Sequence, residues 1–183
     1  VEVMERFERA LTRRSLFSRA QDRYFKRAGD AIQFVDYSPG LRGHFAKLNY
    51  AWLEKYFEVE APDRKVLSDP KGYILDKGGR IFFAIYEGDV VGTCALINEG
   101  DGVYELAKMA VTDTVQGRGI GSRLLDYTLE QARAMGARRV RLETNSRLAP
   151  ALRIYEKAGF RRSPAGPAGA YARADVAMVL ELT

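Results

Sequence analysis

The feature that most limits how this chain can fold is a glycine-rich turn between a strand-like run and a long helical run. The turn reads Gln116-Gly117-Arg118-Gly119-Ile120-Gly121, and it joins the runs 103–111 and 122–135. In the second run the apolar residues recur with helical spacing; they include Leu124, Leu125, Leu129, Ala132 and Met135. The chain is therefore predicted to pass from a strand, through a glycine turn, into the N-terminus of a helix.

Such a turn favours the binding of phosphate. Glycine lets backbone N–H groups come close to a ligand, and its backbone adopts dihedral angles that other residues avoid. A helix N-terminus adds unpaired N–H donors and a partial positive charge, and together these features suit an anion. An ordinary tight turn is the alternative. Two other phosphate motifs fit less well, because no lysine precedes Ser122 and because Gly117, Gly119 and Gly121 lack the dinucleotide spacing.

Four spaced elements resemble one known family in the same order. The pattern Gln116-x-x-Gly119-x-Gly121 resembles the pyrophosphate-binding signature of the GNAT superfamily of N-acetyltransferases. Residues 106–111 resemble the fourth strand of that fold, and residues 139–144 resemble the fifth. Residues 151–160 are similar to its A-x-x-x-Y-E-K-x-G-F element. The resemblance implies that the chain uses acetyl-CoA as cosubstrate.

The remaining patterns predict a mixed α/β fold built around one central sheet. Strands are predicted at 31–36, 80–86, 90–97, 103–111, 139–144 and 175–182, and helices at 41–57, 62–67, 122–135 and 151–160. The spacing of the strands at 80–86 and 90–97 predicts a hairpin. The resemblance implies a GNAT-like, mostly antiparallel mixed sheet flanked by helices. We assign residues 31–183 to this acetyltransferase domain.

Residues 1–30 precede the first family-like strand and are predicted to form an accessory helical segment. Met4, Phe7 and Leu11 share one helical face, and several arginines supply basic charge. Packing of this helix on its own domain is the first interpretation. A docking helix, a homodimer contact or a basic arm are the alternatives.

Charge and composition narrow the partners. The net charge of +5 suits an anionic ligand such as coenzyme A, although solubility alone would also explain it. No motif supports a nucleic-acid partner. No apolar stretch spans a bilayer and no signal peptide opens the chain, so a cytoplasmic protein without a membrane partner is expected.

One histidine and one cysteine do not make a metal site. Cys94, in an apolar run, is expected to be a buried thiol.

The resemblance also assigns a binding site for the cosubstrate. The pyrophosphate would lie on the backbone N–H groups of the turn, from Gln116 through Gly117, Arg118, Gly119, Ile120 and Gly121 to Ser122. Pantetheine would run beside Met109, Ala110 and Val111, where the fourth strand separates from the fifth. Asn145, which lies three residues before the family's usual asparagine position, is expected to fix the coenzyme or the substrate.

Two residues are candidates for proton transfer, which amine acylation requires. Tyr155 matches the tyrosine of the family element and would protonate the departing thiolate; a packed aromatic ring is the alternative. Glu105 matches the general base of the histone acetyltransferase branch, and an exposed glutamate at a strand edge is the alternative. Strand alternation places Ala107, Met109 and Val111 on the same side as Glu105.

The acceptor itself is the least determined part of the prediction. A small-molecule amine is the first choice, and a protein lysine or N-terminal amine is the second. A non-catalytic sensor that binds acyl-CoA is an alternative of another class. Weaker candidates for the acceptor pocket are His44, Tyr37, Asn49, Tyr50, Trp52 and Tyr171.

Overall fold

The computed structural model of the protein describes residues 32–182. The strands are β1 Ile32–Asp36, β2 Arg80–Tyr86, β3 Asp89–Gly100, β4 Val103–Val111, β5 Arg139–Thr144, β6 Arg161–Arg162 and β7 Val176–Glu181. The helices are α1 Arg42–Tyr56, α2 Ala61–Ser68, α3 Pro70–Tyr73, α4 Ile120–Ala134 and α5 Ala149–Lys157. The accessory helix predicted for residues 1–30 lies outside the described residues.

The strands form one seven-stranded sheet in the order β1-β2-β3-β4-β5-β7-β6. The β2–β3, β3–β4, β5–β7 and β6–β7 pairs are antiparallel, whereas β4 and β5 run parallel. A parallel pair needs a long crossover, and α4 supplies it here. The mixed, mostly antiparallel sheet expected from the sequence is confirmed.

Tight turns set the register of strands β2, β3 and β4. The β2–β3 loop has positive φ at Glu87 and Gly88, and the β3–β4 loop has positive φ at Asp101 and Gly102. Two consecutive residues with positive φ match the twist of the strands that they join. The predicted hairpin is therefore confirmed. Strand β3 extends beyond its predicted end because Gly100 still pairs with Val103.

Helices cover both faces of the sheet because side chains alternate along each strand. On one face, Ile81 and Phe83 of β2 pack into a cluster with Phe45 of α1. On the other face, the ring of Phe82 meets Tyr127 of α4 edge-on, with 5.5 Å between the centroids. Helix α4 buries the apolar face that its spacing predicted, with Leu124 and Leu125 fully enclosed.

Short elements depart from the sequence prediction. Helix α3 and strand β6 were not predicted, since four and two residues are too few to show a period. Helix α2 begins one residue before its predicted start, and a capping box between Glu60 and Asp63 fixes that end. In the part of the chain that the structure describes, no helix is long and apolar enough to cross a membrane.

Candidate active site

The parallel strands β4 and β5 separate soon after they meet. They pair only at Val103–Arg139, Tyr104–Val140 and Glu105–Arg141, although β4 continues to Val111 and β5 to Thr144. Beyond the last pair, both strands contribute to the walls of a cleft of about 740 Å³. The facing edge of β4 therefore has backbone groups that β5 does not use. An extended ligand could pair with them.

The predicted glycine turn lies in the wall of this cleft. Gly117 and Gly119 have φ of +80° and +73°, and a Cβ atom added to either would meet nothing within 4 Å. The hydrogen bonds described around the turn use the N–H groups of Gln116 and Arg123. In the described chain, no acceptor takes the N–H groups from Gly117 to Ser122. These groups are thus available to an anion at the start of α4.

The turn packs closely against β4 and α5. A Cβ atom on Gly121 would lie 3.8 Å from side-chain atoms of Met109, Val111 and Ile154. These side chains close the gap between the start of α4 and the end of β4.

Strand β4 carries a bulge at Lys108, which has φ of +53°. Ala107 pairs with Ala95, but Ala110 pairs with Thr93, so β4 has one extra residue between these pairs. Paired residues share a side of the sheet, and Ala110 therefore lies on the side of Glu105 and Ala107. The predicted alternation, which placed Met109 and Val111 there, is wrong because the bulge reverses the sides beyond it.

The bulge directs Lys108 into a buried ion cluster. Its Nζ donates to Asp63 Oδ1 at 2.6 Å and to the Tyr171 hydroxyl at 2.9 Å. Arg173 donates to both oxygens of Asp63, at 2.7 and 2.8 Å. The side chain of Asp63 is 0% exposed and that of Lys108 is 6% exposed. Burial alone would raise the pKa of Asp63, but hydrogen bonds from Arg173 and Lys108 outweigh it, and the pKa is lowered.

Arg173 belongs to a loop, residues 163–175, that we call the strap. The strap is bonded to both sides of the cleft. Its Arg173 and Ala172 bond to the carboxylate of Glu60 beside α2, and its Ala168 N–H donates to Glu143 of β5 at 2.7 Å. Tyr171, Arg173 and Ala174 line the cleft. The strap therefore forms part of the cleft wall.

Three carboxylates surround one arginine where β4 and β5 part. Arg141 forms a short hydrogen-bonded ion pair with Glu99. It also lies 3.2 Å from Glu143 Oε1 and 3.8 Å from Glu105 Oε2. Burial raises the pKa of Glu105, whose side chain is 18% exposed, and Arg141 partly opposes this rise. Glu105 and Glu143 line the cleft.

Tyr155 of α5 is a buried residue of the cleft wall. Its ring meets Phe160 edge-on, with 6.0 Å between the centroids. Burial raises the pKa of its hydroxyl, and the neighbouring Cys94 adds to the rise. Cys94 is buried as expected, and burial raises the pKa of its thiol to about 12. A thiol that stays protonated is a poor nucleophile.

The structure brings nearly all of the predicted site residues to one cleft. Those that line it are Glu105, Met109, Ala110, Val111, Gln116, Gly117, Gly119, Ile120, Gly121, Ser122, Asn145 and Tyr155. The side chain of Arg118 instead donates to the Tyr86 hydroxyl at 2.9 Å. Asn145 lines the cleft, but its amide bonds to the backbone of Arg173 and Arg147.

Among the weaker candidates for the acceptor pocket, Asn49, Trp52 and Tyr171 line the cleft. His44, Tyr37 and Tyr50 do not belong to its wall. The sequence analysis missed seven charged residues of this wall, namely Asp63, Lys108, Glu143, Arg147, Arg153, Lys157 and Arg173. They come from several separate segments, so no single local pattern connects them. Within residues 32–182, no group of side chains could hold a metal ion.

Comparison with known proteins gives a family for this arrangement. The profile of the "Acetyltransferase (GNAT) family" matches residues 46–160. An uncharacterized N-acetyltransferase, YjgM of Escherichia coli K12, is 34% identical over 48% of the chain and 54% of its own length. An aminoalkylphosphonate N-acetyltransferase of Salmonella typhimurium is 30% identical over 49% of the chain and 62% of its own length. The chain thus spans little more than half the length of these relatives.

Solved structures share the fold at lower identity. An acetyltransferase of the GNAT family from Staphylococcus aureus Mu50 superposes with a TM-score of 0.75 at 21% identity, over 84% of this chain and 100% of its own. The yncA protein of Salmonella typhimurium, solved with its cofactor acetyl-CoA, has a TM-score of 0.65 at 20% identity, over 83% of this chain and 94% of its own. At these identities the likeness concerns the fold.

Proposed function

Since the chain belongs to the acetyltransferase (GNAT) family, we propose that it transfers an acetyl group from acetyl-CoA to the primary amine of a small molecule. One observation carries the proposal: β4 parts from β5 beside a glycine turn whose N–H groups, from Gly117 to Ser122, have no acceptor among residues 32–182. A diphosphate joined to an extended amide chain has the chemistry that these two features would bind.

The chain's own groups fit acetyl-CoA. The N–H groups from Gly117 to Ser122 would bind the pyrophosphate, and the open space at Gly117 and Gly119 leaves room for it. The free edge of β4 at Met109, Ala110 and Val111 would pair with the amides of pantetheine. When bound, acetyl-CoA supplies the acetyl group as a reactive thioester. Asn145 would act mainly by holding the strap in place, because both ends of its amide are already bonded.

Two residues would move protons. Glu105 would take a proton from the amine, and its raised pKa supports this role because a buried carboxylate is a stronger base. Tyr155 would give a proton to the departing thiolate. The raised pKa of its hydroxyl supports this role because it keeps the proton in place at neutral pH. Both residues line the same cleft.

A small acceptor is favoured over a protein because the strap and the cluster of Asp63, Lys108 and Arg173 form part of the cleft wall. The name of the Salmonella typhimurium relative also specifies a small acceptor, an aminoalkylphosphonate. A protein amine and a non-catalytic sensor remain the second and third candidates. A cytoplasmic location and a homodimer stay predictions.

Measurement of thiol release from acetyl-CoA with pooled small amines, and separately with pooled peptides, tests the proposal. We expect release with the small amines. Release with peptides alone would favour a protein acetyltransferase. Tight binding of acetyl-CoA with no release in either pool would favour a sensor.

A further inference from the structure

Glu143 lines the cleft, and one of its carboxylate oxygens has no hydrogen-bond donor among the described residues. Oε1 of Glu143 accepts from the N–H of Ala168 at 2.7 Å and from Arg141 at 3.2 Å. Oε2 of Glu143 is buried and has no partner among the described residues, and the side chain is only 5% exposed. A buried charged oxygen without a donor is costly to a fold. Such an oxygen in a cleft wall points to a ligand that supplies the donor.

The charges around Glu143 indicate the sign of that donor. Arg141 is the one cation bonded to Glu99, Glu105 and Glu143 in the described chain, so the group has an excess of negative charge. Two other cations of the cleft wall, Lys108 and Arg173, pair with Asp63 and Glu60. Arg147, Arg153 and Lys157 also line the cleft, but in the described chain none of them forms an ion pair with these three carboxylates. The end of the cleft where β4 and β5 part thus favours a cation.

We infer that the acceptor carries a second cationic group in addition to the amine that is acetylated, and that Glu143 binds this second group. The preferred acceptors are then diamines rather than monoamines or amino acids. This inference rests on the proposed function and names the acceptor class for the same site. Glu105 keeps its separate role as the base for the reacting amine.

Three acceptors of equal length test the inference with the unaltered protein. Putrescine, butylamine and γ-aminobutyrate share a primary amine and a four-carbon chain, but they end in an amine, a methyl group and a carboxylate. We expect kcat/KM to fall in that order. A hydrogen bond to a charged group supports a preference for putrescine over butylamine of about tenfold to a hundredfold. Equal values, or a preference for γ-aminobutyrate, would overturn the inference.

A pair of variants tests the role of Glu143 itself. Glu143→Gln keeps the size of the side chain, and it should lower kcat/KM for putrescine by about tenfold or more while leaving that for butylamine nearly unchanged. Glu99→Gln is the matched control, because Glu99 contacts the same Arg141 but does not belong to the cleft wall. It should retain the preference for putrescine. If Glu143 only holds the strap, Glu143→Gln would slow all three acceptors by one factor, and the inference would be wrong.

The outcomes separate this inference from the proposed function. If the protein acetylates a small amine that lacks a second cationic group but does not acetylate putrescine, the inference is overturned and the proposed function stands. Failure to acetylate any amine, with acetyl-CoA bound, would overturn both. The affinity for acetyl-CoA, measured by calorimetry, should match the parent in each variant and so confirms that the cleft has folded.

Discussion

At the scale of single residues, burial acts on Glu105 and Tyr155 in ways that suit opposite proton transfers. Glu105 lies on β4 and Tyr155 on α5, and both line the cleft. Burial raises the pKa of both side chains. For a carboxylate this strengthens the base, and for a phenol it holds the proton until a stronger base appears. The same physical cause thus supports a base and an acid in one cleft.

Tyr155→Phe should lower kcat by about a hundredfold or more, the usual contribution of a general acid, with little change in the Kd for acetyl-CoA. The substitution keeps the ring against Phe160 and removes only the hydroxyl. Steady-state rates with a small amine and calorimetry with acetyl-CoA measure the two quantities. Tyr104→Phe is a suitable control, since Tyr104 is buried on β4 but is not part of the cleft wall. Equal kcat in the two variants would rule out the acid role.

Glu105→Gln should lower the rate most at low pH, where the amine is mostly protonated, and free amine should partly rescue the variant at high pH. The same substitution should lower the rate but raise the stability of the fold at neutral pH. The raised pKa means that the protonated form of Glu105 favours folding, and that this contribution is lost as pH rises through the folded pKa. At neutral pH the variant should therefore have a higher Tm than the parent. An unchanged pH–rate profile would leave Glu105 with a structural role only.

At the scale of elements, three irregular segments create the cleft: the glycine turn, the bulge in β4 and the strap. The bulge holds Lys108 at positive φ, which costs about 1 to 3 kcal/mol for a residue other than glycine. Lys108 also forms the buried ion pair with Asp63. The strap in turn reaches the same Asp63 through Arg173. A single buried carboxylate thus connects a strand, a helix and a loop.

Asp63→Asn should lower the free energy of unfolding by about 3 to 5 kcal/mol, because it leaves Lys108 buried without its counter-charge and Arg173 paired with Glu60 alone. Asp76→Asn, at the exposed ion pair with Lys71, should change it little. Urea unfolding of both variants measures the difference. The lowered pKa of Asp63 also predicts that the cluster stabilises the fold at neutral pH and fails as pH drops through the folded pKa. Similar losses in the two variants would contradict the importance of the cluster.

Gly119→Asp should weaken acetyl-CoA binding by more than about tenfold, since it places a negative charge where the pyrophosphate is proposed to lie. Gly88→Asp supplies the matched control. Both glycines have positive φ, and a Cβ atom at either meets nothing within 4 Å. The backbone strain of the two variants is therefore similar, but Gly88 lies in the β2–β3 loop. Calorimetry that gave equal Kd values for the two would show that the turn does not bind the phosphates.

The sequence allowed the main elements to be predicted, together with the part of the cleft wall that β4 and the glycine turn form, because their signals are local. The bounds of β4 and β5 agree with the prediction, and so does the glycine turn before α4. The bulge escaped prediction because only pairing with β3 reveals the extra residue. Within the strap, the prolines and glycines of residues 163–169 are typical of a loop. Its bonds to Glu60 and Glu143 depend on tertiary packing, which a period or a motif does not encode.

At the scale of the whole molecule, the described residues that line the cleft lie between Asn49 and Ala174. The match of the family profile to residues 46–160 supports the proposal that residues 31–183 form the acetyltransferase domain and that residues 1–30 are accessory. A chain that begins at Ala31 should therefore bind acetyl-CoA with an affinity close to that of the full chain, as measured by calorimetry. Loss of binding by a shortened chain that remained folded would assign residues 1–30 to the site.

The short contact between β4 and β5 has a consequence for how the sheet holds together. In the described chain the sheet has two parts, one made of β1 to β4 and the other of β5, β7 and β6. Three residue pairs between β4 and β5 form the only backbone ladder that joins the two parts. An extended ligand in the gap would act as an inserted strand and lengthen that connection. Acetyl-CoA would then be a structural component as well as a reactant. The protein would unfold as a more cooperative unit with the ligand bound than without it.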